Sequence, residues 1–153
     1  MNKMAKKDKT NVMRILDQQR LDYDAYQFEG DTPSIPDAPI YKTLVTVGKS
    51  KEHYVFVIPL DCELDLKKAA QVVGEKSIHM IKEKELLPLT GYVHGGCSPI
   101  GMKKHFVTIL DDSAKTLDKI IFSGGRVKFS VGMKPDQLLE LVNGQYGNVA
   151  SEH

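Results

Sequence analysis

Residues Gly95-Gly96-Cys97-Ser98-Pro99-Ile100-Gly101 put three glycines, a serine and a proline into seven positions. No helix or central strand runs comfortably through such a segment. Glycine loses the most backbone freedom on ordering, and proline has no N–H to donate. The chain must bend here, between the strand-like Tyr92-Val93 and the strand-like run 105–110. Glycines reach positive φ without steric cost and let another group approach bare peptide N–H groups. Such a bend is either an ordinary tight connection or a cradle for an oxyanion or a phosphate.

The rest of the punctuation divides the chain into short elements. Thr10 or Asn11 caps a helix to about Arg20, with Val12, Ile15 and Leu16 inward. Residues 21–28 read as a strand. Pro33, Pro36 and Pro39 make 30–39 a loop. Two β-rich runs, 42–48 and 53–59, form a hairpin. Asp65 caps a helix in which Leu66, Ala69, Ala70 and Val73 recur at helical spacing, and Gly74 ends it. A short strand at 77–80 precedes a helix at 82–87 that Pro88 stops. Beyond the glycine bend, Asp112 or Ser113 starts a short helix to about Leu117, and the runs 119–122 and 126–131 flank the hairpin signature Ser123-Gly124-Gly125. Pro135 opens a last helix, with Leu138, Leu141 and Val142 inward and Gly144 behind it. Helices and strands interleave, yet hairpins are frequent. The pattern predicts an α/β fold: a single compact domain with a mixed, mainly antiparallel, curled sheet and flanking helices.

Composition narrows the function. A chain of 153 residues suits one domain. Residues 1–10, with Lys3, Lys6, Lys7 and Lys9, read as a flexible basic tail, and 11–150 as the folded domain. No apolar run approaches the roughly 20 residues that span a bilayer, so no membrane partner is expected. Cys62 and Cys97 have no CxxC neighbours, which excludes a disulfide framework and points to a reducing cytoplasm. His94 and Cys97 are spaced i, i+3 but lack a second ligand pair, so neither metal nor cofactor is expected. A net charge of +1 excludes a grip on nucleic acid by overall phosphate neutralisation, leaving a local patch or a partner's help. No G-x-S-x-G elbow supports a serine esterase.

Three features line up along the chain. Lys42 opens a strand as Tyr41-Lys42-Thr43-Leu44. Leu89-Thr90-Gly91-Tyr92 leads into Gly95-Gly96, Ser98-Pro99 and Gly101. Ser123-Gly124-Gly125 precedes Phe129-Ser130-Val131. In this order and spacing, helped by the helix Asp65-Leu66-Lys67-Lys68-Ala69-Ala70, the chain resembles the YbaK/EbsC family of aminoacyl-tRNA deacylases. These are free-standing relatives of the editing domain inserted in bacterial prolyl-tRNA synthetases. The resemblance covers roughly 11–150.

The resemblance implies a pocket for the aminoacylated 3′ end of mischarged tRNA, and hydrolysis of the ester between a wrong amino acid and the terminal ribose. Cys-tRNA(Pro) is the substrate of the nearest-looking branch, with Cys-tRNA(Cys) beside it, and prolyl-tRNA synthetase is the implied partner. Lys42 holds a 3′-terminal phosphate or ribose oxygen. Gly95 and Gly96 offer backbone amides to the developing oxyanion. Ser98 and Pro99 shape the loop, Ser123 and Gly124 border the site, and Ser130 either hydrogen-bonds the substrate or is a plain strand serine. Tyr26 or Phe28 takes the place of a tyrosine found in relatives; at Phe28 the hydroxyl is missing. The proline-rich loop 31–40 stands where longer members carry extra residues. Cys97 reads as a bystander and His94 as a loop hydrogen-bonder, so the chain supplies no nucleophile; in the cysteine-clearing branch the substrate's own thiol attacks its ester. The alternatives are a deacylase for Ala- or Ser-tRNA, or a module that binds a 3′ end without cleaving it.

Overall fold

The computed structural model describes residues 9–28 and 38–151. Most of the basic tail and most of the proline-rich loop lie outside the described residues. Helix α1 (Asn11–Gln18) starts where Thr10, itself buried, accepts the Met13 N–H at 3.2 Å, and it buries Val12, Met13 and Leu16. Strand β1 (Asp24–Gln27) follows, then the hairpin β2 (Tyr41–Gly48) and β3 (His53–Pro59). A two-residue β4 (Glu63–Leu64) leads to α2 (Leu66–Val73). Asp65 caps α2 by accepting the Lys67 and Lys68 N–H groups, and Gly74 closes it at φ 77°. Next come β5 (Ile78–Met80), α3 (Glu83–Thr90), β6 (Val107–Asp111) and a 3-10 turn over Asp112–Thr116. Strands β7 (Ile120–Ser123) and β8 (Phe129–Met133), helix α4 (Pro135–Val142), β9 (Gln145–Gly147) and β10 (Ala150–Ser151) complete the described chain.

Five strands form one sheet in the order β5-β2-β3-β6-β9; β2 runs antiparallel to β3 and β5, while β3, β6 and β9 are parallel. A second, antiparallel sheet has the order β1-β8-β7, and β10 pairs β4. The two larger sheets meet where Ile121 donates to the Pro39 carbonyl at 3.0 Å and bridges Ile40, just ahead of β2. This is the mixed, mainly antiparallel, curled arrangement expected from the hairpin-rich sequence. Alternation along β3 sends Val55 and Val57 into one core with α1, β7, β8 and α4, and Phe56 and Ile58 into another with Ala69 and Ala70 of α2. Both faces of β3 are covered, which is why Val55 to Ile58 is continuously apolar.

Several elements differ from the sequence expectation. Pro88 sits inside α3 and does not stop it; Gly91, at φ 86°, does. The proline removes one helical bond at an exposed position, and Thr90 Oγ1 closes the last turn by donating to the Leu86 carbonyl at 2.7 Å. Tyr92-Val93 is no strand: residues 91–106 are irregular, and β6 begins only at Val107. Asn143, at φ 53°, caps α4 ahead of Gly144. Gly144 is needed for another reason, because a Cβ there would lie 2.7 Å from the Thr108 carbonyl oxygen. Strands β4, β9 and β10 were not expected at all.

Candidate active site

The glycine segment is held shut from within. The Tyr92 hydroxyl donates to the Ile100 carbonyl, and the Tyr92 N–H to Thr90 Oγ1 at 3.0 Å. Ser98 is fully buried and its Oγ accepts the Ile100 N–H. The Lys103 N–H returns to the Thr90 carbonyl at 3.0 Å, so the segment leaves and rejoins the fold at one point. Gly95, at φ 87°, marks its tip. Gly96 packs against the turn between β7 and β8, where a Cβ would stand 3.0 Å from the Val127 nitrogen and 3.2 Å from the Arg126 carbonyl carbon.

These elements enclose a cavity of about 400 Å3. Lys42 and Thr43 of β2 line one side, Gly95 and Cys97 of the loop another, and Ser123, Phe129 and Ser130 of the second sheet a third; Phe28 also faces it. Lys42, Gly95, Phe28, Ser123 and Ser130, separated by up to about a hundred positions in sequence, therefore share one hollow. Two lysines (Lys42, Lys128) and a histidine (His94) border it, and no carboxylate does among the described residues. The Lys42 ammonium has no ion pair or hydrogen bond among the described residues. Phe122 and Leu60 give the hollow apolar walls. An uncompensated cation in a partly apolar site acts more strongly on a developing negative charge than it does in water.

Five expected site residues are placed elsewhere. Tyr26 does not border the cavity; its hydroxyl accepts from the Lys119 ammonium at 2.9 Å, and Lys119 also pairs with Asp24 at 3.0 Å. Gly96 does not border it either, and its N–H is already given to the Val93 carbonyl at 3.0 Å. Gly124 donates to the Phe129 carbonyl at 2.8 Å and shapes the turn. Ser98 and Pro99 act through the loop: Ser98 stays inside it, and Pro99 borders a different cleft. The N–H groups of Gly95 and Cys97 have no acceptor among the described residues, and both residues border the cavity.

Among the described residues, the one thiol and the one phenol at the cavity are both held protonated at neutral pH. Burial pushes the Cys97 thiol up to about 12, so its thiolate is scarce. Burial also raises Tyr41, whose hydroxyl is shared with Ser113 at 2.7 Å. Sequence reasoning passed over Thr43, although it lies within the quoted Lys42-Thr43-Leu44 motif. Its Oγ1 is buried beside the cavity with no hydrogen-bond partner among the described residues. It also passed over Arg126, whose guanidinium lies 5.0 Å above the Phe129 ring.

Comparison with known proteins agrees with this geometry. Residues 25–141 match the family described as aminoacyl-tRNA editing domain. A protein of Enterococcus faecalis, named "Putative Cys-tRNA(Pro)/Cys-tRNA(Cys) deacylase EbsC", is 40% identical over 97% of this chain and 99% of its own length. Among solved structures, one described as a "putative trans-editing enzyme for prolyl tRNA synthetase" superposes with a TM-score of 0.78 at 21% identity, covering 98% of this chain and all of that one. Hypothetical protein APE2540 superposes at 0.82 and 21% identity, over 92% of this chain and 99% of its own. These two likenesses establish the fold. With an editing-family match over most of its length, and a cavity where a strand lysine meets a glycine loop, this chain belongs to the aminoacyl-tRNA editing domain family.

Proposed function

We propose that this protein is a hydrolase that deacylates mischarged tRNA, with Cys-tRNA(Pro) as its first substrate and Cys-tRNA(Cys) as a second. The observation that carries this reading is the convergence of Lys42 and the glycine loop on one cavity bordered by two lysines and, among the described residues, by no carboxylate, in a member of the editing family. Lys42 holds a ribose or phosphate oxygen of the terminal nucleotide and places the ester. The amides of Gly95 and Cys97 face the carbonyl oxygen as charge develops on it; one well-placed donor of this kind is worth about 3–4 kcal/mol elsewhere. Ser130, buried and bordering the cavity, and Thr43 supply hydroxyls to the cargo. Phe28 and Phe129 give flat surfaces for the terminal base.

No side chain attacks. With a cysteine cargo, the substrate's own sulfur attacks its carbonyl carbon. A C–S bond forms as the C–O bond to the ribose breaks, and the thiol proton ends on the released ribose oxygen. Water then opens the cyclic thioester. Positioning and oxyanion stabilisation suffice because aminoacyl esters are already activated. The protein is near neutral overall, so we assign recognition of tRNA identity to a partner in the cytoplasm, prolyl-tRNA synthetase.

Turnover of Cys-tRNA(Pro), Ala-tRNA(Pro) and Ser-tRNA(Pro), with and without the synthetase, tests this. Rapid release of cysteine, strengthened by the synthetase, is expected. Tight binding of the charged 3′ end without release would make the chain a binding module.

A further inference from the structure

The C-terminal half of the glycine loop borders a second cleft, of about 240 Å3, that the proposed reaction does not use. Its rim is the consecutive run Lys103, Lys104 and His105, all exposed. Its floor is apolar, from Ile15 of α1, Phe106, and Leu141 of α4. No carboxylate borders it among the described residues. Three lysines of the described residues are held in ion pairs: Lys9 with Asp17, Lys115 with Asp112 and Lys119 with Asp24. Lys103, Lys104 and His105 have no such partner among the described residues.

We infer that this cleft grips the phosphodiester backbone of the tRNA acceptor end while the terminal aminoacyl nucleotide occupies the main cavity. The inference rests on the deacylase reading above. Three observations support it. A chain with a net charge of +1 must carry any affinity for polyanions in local, unneutralised clusters, and this is one. The two sites are walls of one loop: Gly95 and Cys97 face the cavity, and Pro99, Ile100 and Gly101 face the cleft. A strand of nucleic acid leaving the cavity can therefore be met by a surface fixed relative to the reacting ester. The presentation is also firm. The Lys103 N–H is held by the Thr90 carbonyl, and a Cβ placed on Gly91 would lie 3.3 Å from Lys103 Cγ, so the lysine stem lies along the loop base.

Binding of uncharged tRNA(Pro), measured across a salt series, tests the inference independently of hydrolysis. The double variant Lys103→Gln/Lys104→Gln keeps the aliphatic stems and removes both charges. It is expected to bind roughly tenfold more weakly, with the slope of log affinity against log salt reduced by about two, one per lost phosphate contact. A cysteinyl ester of the isolated CCA trinucleotide, which lacks the stem, is expected to be hydrolysed as by the unchanged protein. Should the double variant melt early, the single Lys104→Glu variant at a fully surface position replaces it, with a larger loss of affinity expected. Unchanged affinity and slope would overturn the inference. So would a variant that binds tRNA normally but loses stimulation by the synthetase, because the cleft would then face a protein. If tRNA binding depends on these lysines but no mischarged tRNA is hydrolysed, the activity reading falls and this inference stands.

Discussion

Single residues in this protein do their work through what they are denied as much as through what they touch. Lys42 borders the cavity and has no ion pair among the described residues, as its proposed role requires. Lys42→Ala is expected to lower deacylation by roughly a hundredfold or more, with melting temperature unchanged, because an exposed-end lysine adds little to stability. Cys97 borders the same cavity, yet burial holds its thiol at about 12 and therefore protonated at neutral pH. Cys97→Ala is expected to stay within about threefold of full activity, and alkylation of Cys97 by iodoacetamide at pH 7 to be slow. Gly96→Ala introduces a Cβ against the Arg126–Val127 backbone and is expected to cost about 1–3 kcal/mol in urea unfolding, with loss of turnover as the loop shifts. The need for glycine here was legible in the sequence. That the Gly96 amide is spent on Val93, leaving Gly95 and Cys97 as donors, was not: the answer depends on where a carbonyl three residues earlier folds back. The same holds for Tyr26, which the pairing of Asp24 with Lys119 draws away from the cavity.

Elements that rest on local chemistry were readable, whereas those that rest on distant partners were not. Asp65 and Gly74 bound α2 through contacts within a few residues, and the sequence marks both ends. Strands β9 and β10 are short and depend on one remote carboxylate. Asp111 accepts the Val149 and Ala150 N–H groups at 3.1 and 2.9 Å, and the Ser113 N–H at 3.1 Å. Burial pushes this carboxyl upward, but the bonds from Ser113, Ala150 and Val149 outweigh burial and hold it below the ordinary value of 3.8. The stabilisation is thus complete above pH 3.8 and is lost as the pH falls through the lowered value. Asp111→Ala strands three amide donors and is expected to cost about 2–4 kcal/mol at pH 7, read from urea midpoints. Asp111→Asn is expected to flatten the part of the acid-unfolding curve that this carboxylate contributes.

Two cores flank β3 and border the site unequally: Tyr41, Cys97 and Phe122 of one line the cavity, and Leu44, packed against the other, lines it too. Phe56 lies in the core with Ala69 and Ala70 of α2 and does not border the cavity, whereas Phe122 belongs to the other core and also walls the cavity. Both are essentially inaccessible, so either change to Ala is expected to lower stability by about 3–5 kcal/mol. The functional outcomes should differ. At a temperature where both variants remain folded, Phe56→Ala is expected to keep its kcat, and Phe122→Ala to lose it along with stability. Equal effects on kcat would mean that the two cores are not separable in this way.

By itself, the sequence determined the Thr10 cap, both ends of α2, the hairpins, the glycine bend and the family, because each is written in residues close together or in short motifs whose order survives without coordinates. Tertiary structure alone decided which groups share the cavity and, among the described residues, which amides and lysines have no partner. Those outcomes depend on how the Ile40–Ile121 bridge curls one sheet against another. Hydrogen-bond partners and burial are properties of three-dimensional neighbours, and no spacing along the chain specifies them.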